Sequence, residues 1–115
     1  MNDQPHLDHE ALAELRDVME DEFDILISTF LEDSVDRVEQ LRTAAEQQDT
    51  GAFTKAAHSF KGSCINIGAP VLAEKCQEAE RHGREGDLAA SDRQIAAIQA
   101  ELAFVSDELR SYLNY

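Results

Sequence analysis

The stretch AAHSFKGSCINIGA, Ala56 to Ala69, decides how the rest of the chain is read. At about 100° per residue, a helix through it gathers Phe53, Ala57, Phe60, Cys64 and Ile67 within about 40° of one line. His58, Lys61, Gly62 and Ile65 fall outside that arc, at about 80° to 180°, with Lys55 near 200°. One face is therefore a core stripe and the other meets solvent. Gly68 and Pro70 set the end of this helix and the start of the next. Glycine suits a left-handed C-cap, and proline in a first helical turn loses no hydrogen bond.

Outward from this stretch, helical spacing accounts for nearly the whole chain, and no segment alternates cleanly enough for a strand. A short first helix is expected over residues 11–19, with Asp8 as N-cap and Leu7 packed on Leu12 as a hydrophobic staple. A long second helix is expected over 22–48, with Phe23, Leu26, Ile27, Phe30, Leu31, Val35, Val38, Leu41 and Ala45 at spacings of three and four. QQDTG breaks it, and Asp49 or Thr50 caps the helix that runs to residue 67. The next helix, 70–84, buries Leu72, Cys76 and Ala79 and stops at the glycines of HGREGD. The last, 88–113, carries Ile95, Ile98, Leu102, Val105, Leu109 and Tyr112 as a bundle seam. Long helices on short loops predict an all-α fold, an antiparallel four-helix bundle with a short additional N-terminal helix. The 115 residues suffice for one core, so a single domain over 1–115 is expected, with residues 1–7 flexible.

A formal net charge of −14 argues against nucleic acid and anionic membrane as partners, because both demand a basic surface. The charge is uneven. Residues 1–49 hold 15 acidic and 3 basic side chains, 50–85 hold 4 and 5, and 86–115 hold 5 and 2, which gives −12, +1 and −3. Only the segment around the opening stretch escapes the negative field, and a protein partner is expected there. No basic, then apolar, leader opens the chain and no apolar run is long enough to span a bilayer, so a soluble, cytoplasmic protein is expected. Cys64 and Cys76 form neither a zinc spacing nor a CxxC pair and read as buried thiols. His6 and His9 straddle a helix start without a cysteine nearby, so a frayed N-terminus is expected there and no metal site anywhere. There is no glycine-rich phosphate loop and hence no nucleotide site of that kind.

The outward set of the opening stretch carries the chemistry. Glycine inside a helix costs about 1 kcal/mol relative to alanine, and Gly62 lies opposite the core, so its use is to let a partner approach the backbone beside His58. Lys61, one turn from His58, would hold an anion on the ring and keep the imidazole neutral and nucleophilic, although a solubilising lysine has the same spacing. Lys55 contributes more weakly from the other flank. Ser63 either bonds back to its own helix or supports the site, and Ile65 offers an apolar docking contact. The local sequence holds no acid beside the histidine and no second nucleophile, so the other half of an active site must come from another molecule.

AHSFKGSCINIGA resembles the signature AH-x-LKGS-x-x-x-x-GA of histidine-containing phosphotransfer (HPt) domains, and LAEKCQEAE resembles the L-x-x-x-C-x-x-x-E that follows it in that family. Phe60 and Cys64 depart from the commoner residues, both on the buried stripe. The resemblance implies a phosphorelay intermediate and not an enzyme. His58 would accept a phosphoryl group from a receiver-domain aspartate or a hybrid sensor histidine kinase and pass it to the aspartate of another response regulator. It further implies that Lys61 neutralises the phosphoryl oxygens, that Gly62 gives the receiver room, and that Ser63 and Glu80 support the site from behind. No cofactor is implied for this chain, with magnesium held by the receiver, and a free-standing monomer is expected. The rivals are a helical adaptor that binds a receiver without transfer and a detached module of a hybrid kinase.

Overall fold

The computed structural model describes residues 4–113, and among them lie five helices and no strand: α1 (His9–Met19), α2 (Glu22–Glu46), α3 (Thr50–Ile67), α4 (Pro70–Arg84) and α5 (Ser91–Arg110). The helices α2, α3, α4 and α5 pack in a ring, α3 most intimately with α4, and α1 lies against α2. This is the expected all-α bundle with its short leading helix. Asp49, with Thr50 the expected alternative, caps α3 by accepting from the Ala52 N–H at 3.0 Å. At the other end Gly68 has φ 79°. Its N–H reaches the Ile65 carbonyl at 3.1 Å, and the Ala69 N–H reaches that of Cys64 at 2.9 Å. Pro70 then opens α4 at once. The tight turn between α3 and α4 is thus written in three residues.

The core stripe of α3 is as read, with Phe53, Ala57, Phe60, Cys64 and Ile67 all buried, and Ala56 joins it because α3 is flanked by both α2 and α4. Cys64 and Cys76 are free and buried, and their mutual contact and burial push the Cys64 thiol up. No helix among the described residues is long and apolar enough to cross a membrane.

Several expectations are corrected. Val35 is 62% exposed and Ser34 takes its place in the core. The buried residues of α2 advance as Phe23, Ile27, Phe30, Ser34, Val38, Leu41, and Val35 lies about 100° beyond that line. Ser34 can be buried because its hydroxyl donates to the Phe30 carbonyl at 2.7 Å. The N-terminal segment also makes more contacts than expected. Residues 1–3 of the expected flexible stretch lie outside the described residues, but Leu7 is buried with Leu12 as a staple requires, and the Asp8 N–H donates to the Gly68 carbonyl at 2.7 Å. His6 and His9, expected in a frayed end, are both engaged by α5 and its following turn. The His6 ring stacks on Phe104 with its Nδ1 2.5 Å from Glu101, and His9 meets Tyr112 and Glu108. Asp8 starts α1 two residues early, and α5 spans 91–110 instead of 88–113, with Leu88 buried in the preceding loop.

The glycine at 83 does not stop α4 but lies buried inside it. A Cβ there would meet Thr54 Oγ1 at 2.5 Å and Thr54 Cα at 3.3 Å. The missing side chain lets α4 approach α3 closely, directly beside the outward face of α3.

Candidate functional site

His58 projects from the middle of α3 with its side chain 67% exposed. Its Nδ1 lies 3.0 Å from Oε2 of Glu80, a carboxylate on α4 whose side chain is only 4% exposed. The other oxygen, Oε1, is 2.8 Å from Lys61 Nζ. Arg84, one turn after Glu80 on α4, brings Nη2 onto the same Oε2 that faces His58. One buried carboxylate between α3 and α4 therefore gathers an imidazole, an ammonium and a guanidinium. The arrangement follows from the packing: Leu72, Ala73, Cys76, Ala79, Glu80 and Gly83 form the buried side of α4, and Glu80 is the member of that set at the level of His58 and Lys61.

A carboxylate withdrawn from water stays charged only if cations and hydrogen bonds replace the lost hydration. Here the Lys61 ammonium beside Glu80 holds its carboxyl below the usual carboxylate range, against the opposing effect of burial, and His58 acts in the same direction as Lys61. An ionised carboxylate can only accept, so the proton between the two groups belongs to His58 Nδ1. In the neutral ring that selects one tautomer: Nδ1 donates to Glu80, and the lone pair is on Nε2. A neutral imidazole oriented in this way is a nucleophile.

The remaining predicted residues fall in three groups. Gly62 is open as its place on the wheel required, because a Cβ added there would meet nothing within 4 Å. Ile65 is 61% exposed and Lys55 is exposed, both on the outward side of α3. Ser63 is not brought to the histidine; its hydroxyl donates to the Ser59 carbonyl at 3.3 Å. Lys61 is half-buried and bound to Glu80 instead of standing free beside the ring. The absence of an acid next to the histidine, inferred from the local sequence, is corrected by Glu80, which lies 22 residues away in the chain and crosses from the neighbouring helix.

Arg84 was not anticipated, and neither was the part played by Gly83. Their only sequence signal is the four-residue step from Glu80 to Arg84, which puts both on one face of a helix. Together they shape a recess of about 430 Å³ beside the imidazole, lined by Thr54, Lys55, His58, Glu80, Gly83 and Arg84. Among the described residues no group of three His, Cys, Asp or Glu side chains is placed to hold a metal ion.

Comparison with known proteins identifies the family and the fold. Residues 25–108 match the Hpt domain family. The crystal structure of histidine-containing phosphotransfer protein B (HptB) from Pseudomonas aeruginosa PAO1 is 40% identical, covers 93% of this chain and 93% of its own, and superposes with a TM-score of 0.90. The HPT domain of the Hpt sensor hybrid histidine kinase from Shewanella shares the fold at 20% identity, with a TM-score of 0.76 over 96% of this chain and 97% of its own. No curated protein sequence matches the chain significantly.

Proposed function

The chain belongs to the Hpt domain family, whose members are phosphocarriers of phosphorelays and not kinases, and from this premise we propose that His58 is the residue that carries the phosphoryl group. It accepts that group from the aspartyl phosphate of a response-regulator receiver domain, or of a hybrid kinase's receiver, and passes it to the aspartate of another. The observation that carries the proposal is the 3.0 Å contact between His58 Nδ1 and the buried Glu80 carboxylate, with the rest of the ring in solvent.

The chemistry follows from that contact. Nε2 attacks the phosphorus of the acyl phosphate; the P–N bond forms as the bond from phosphorus to the aspartate oxygen breaks, and the aspartate leaves as a carboxylate with the bonding pair. The proton on Nδ1 stays in place. The ring becomes cationic as Nε2 gives up its lone pair, and the fixed negative charge of Glu80 is positioned to stabilise that developing charge. Lys61, at the edge of the same cluster, offsets the negative phosphoryl oxygens. Phosphoryl transfer demands positioning and charge neutralisation more than covalent assistance, and this chain supplies the nucleophile's half. Magnesium and the acceptor or donor aspartate belong to the receiver, and the chain needs no cofactor of its own.

Gly62 and Ile65 offer the docking contact. With no side chain at Gly62, a receiver can bring its aspartate down to the imidazole, and Ile65 adds apolar area on the same side. The segment 50–85 carries +1 against −12 for residues 1–49, so an acidic receiver pocket meets the one part of the surface that does not repel it. Incubation with a phosphorylated receiver, or with a hybrid kinase and ATP, is expected to give an acid-labile, alkali-stable label that disappears in His58→Gln. Label that persists in the variant overturns the assignment of His58, and no label from any cognate receiver favours an adaptor.

A further inference from the structure

We infer that Arg84 is a second, movable phosphoryl-binding cation, parked on Glu80 until His58 is phosphorylated; the inference takes phosphotransfer through His58 as its premise. Glu80 Oε2 is shared by His58 Nδ1 and Arg84 Nη2, while Oε1 is taken by Lys61 at 2.8 Å. Two groups thus converge on one oxygen of the carboxylate while the other oxygen faces Lys61 alone. With Arg84 released, Lys61 stays 2.8 Å from Oε1 and His58 still donates to Oε2, so the buried carboxylate keeps a partner on each oxygen.

The two cations on Glu80 differ in freedom. Lys61 is half-buried, whereas the Arg84 side chain is 67% exposed. Arg84 also lines the recess beside the imidazole, together with Lys55 and Gly83. A phosphoryl group on Nε2 brings a dianion to the mouth of that recess. Guanidinium suits such a group because its planar fork can bind two oxygens at once. Arg84 then exchanges one oxygen of Glu80 for oxygens of the phosphoryl group, a contact that exists only in the phosphorylated state and therefore favours that state. No covalent step is added, since the exchange moves only hydrogen bonds.

The test measures the equilibrium of phosphoryl transfer between a phosphorylated receiver and wild type, Arg84→Gln and Arg84→Lys, with thermal unfolding as the control for folding. The expected result is a roughly tenfold fall in the equilibrium share on His58 for Arg84→Gln, with partial recovery in Arg84→Lys, at little change in unfolding midpoint. The Arg84 side-chain NMR signals of the wild type should also shift when His58 is phosphorylated. An unchanged equilibrium in Arg84→Gln, or Arg84 signals that do not move, overturns the inference while leaving His58 as carrier. Failure of the wild type to take up label at all removes the premise instead.

Discussion

Two glycines inside neighbouring helices make opposite predictions. Gly62 and Gly83 both carry the intrinsic helix penalty of about 1 kcal/mol relative to a good helix former. At Gly62 a Cβ meets nothing within 4 Å, so Gly62→Gln should recover most of that penalty and raise the unfolding midpoint by about 4 °C for a chain of this size. At Gly83 a Cβ lands 2.5 Å from Thr54 Oγ1 and 3.3 Å from Thr54 Cα. The Thr54 hydroxyl is committed to the Thr50 carbonyl at 2.7 Å, so it cannot simply swing away. Overpacking of this kind costs about 1–3 kcal/mol, and after the propensity gain Gly83→Ala should still lose on the order of 1 kcal/mol. Both variants should slow transfer, for different reasons. Gly62→Gln blocks the partner and leaves the Glu80 contacts intact, while Gly83→Ala forces α4 away from α3 and loosens the His58–Glu80 hydrogen bond. Differential scanning calorimetry, together with single-turnover transfer from a phosphorylated receiver, separates the two. Wild-type transfer by Gly62→Gln would refute the close-approach role of Gly62, and a fall in its midpoint would refute the openness of that position.

The remaining predictions concern the core and the charged cluster. Leu7→Ala should lose about 2 kcal/mol or more in urea denaturation although it lies near the N-terminus, whereas Val35→Ala, at a position that helical spacing assigns to the core, should stay within about 0.5 kcal/mol. Glu80 is held below its ordinary value of 4.5, chiefly by Lys61, so its ionisation adds stability above that value which is lost as pH falls through the lower folded value. The stability gap between wild type and Glu80→Gln, followed by denaturation across pH, should therefore shrink below about pH 4.5; a gap that widens in acid would mean the ionised pair is not stabilising.

The extent to which sequence reveals this molecule depends on how local each cause is. Helix boundaries set by caps and breakers are legible: α4 has the bounds 70–84 read from Pro70 and the charged, glycine-containing end, and α3 ends at Gly68 where a left-handed cap is required. Exposure on α3 is legible for His58, Gly62 and Ile65 because one wheel decides it. Ser34 and Val35 show where periodicity fails, since spacings of three and four both fit an apolar run and a serine that bonds its own backbone can occupy the buried place. The Glu80 cluster was legible only through the family motif. Nothing in the segment around His58 announces a carboxylate on the next helix, and its approach depends on Gly83, which reads as a breaker until the partner helix is in place.

Transfer through His58 depends on Glu80 holding Nδ1 and leaving Nε2 to react. Nitrogen-15 and phosphorus-31 NMR on protein labelled at histidine, phosphorylated by a receiver, reports which ring nitrogen bears the phosphoryl group. The expected result is phosphorus coupled to Nε2 of His58, with the Nδ1 proton retained in its hydrogen bond to Glu80. Phosphorus on Nδ1, or on any histidine other than His58, would contradict it.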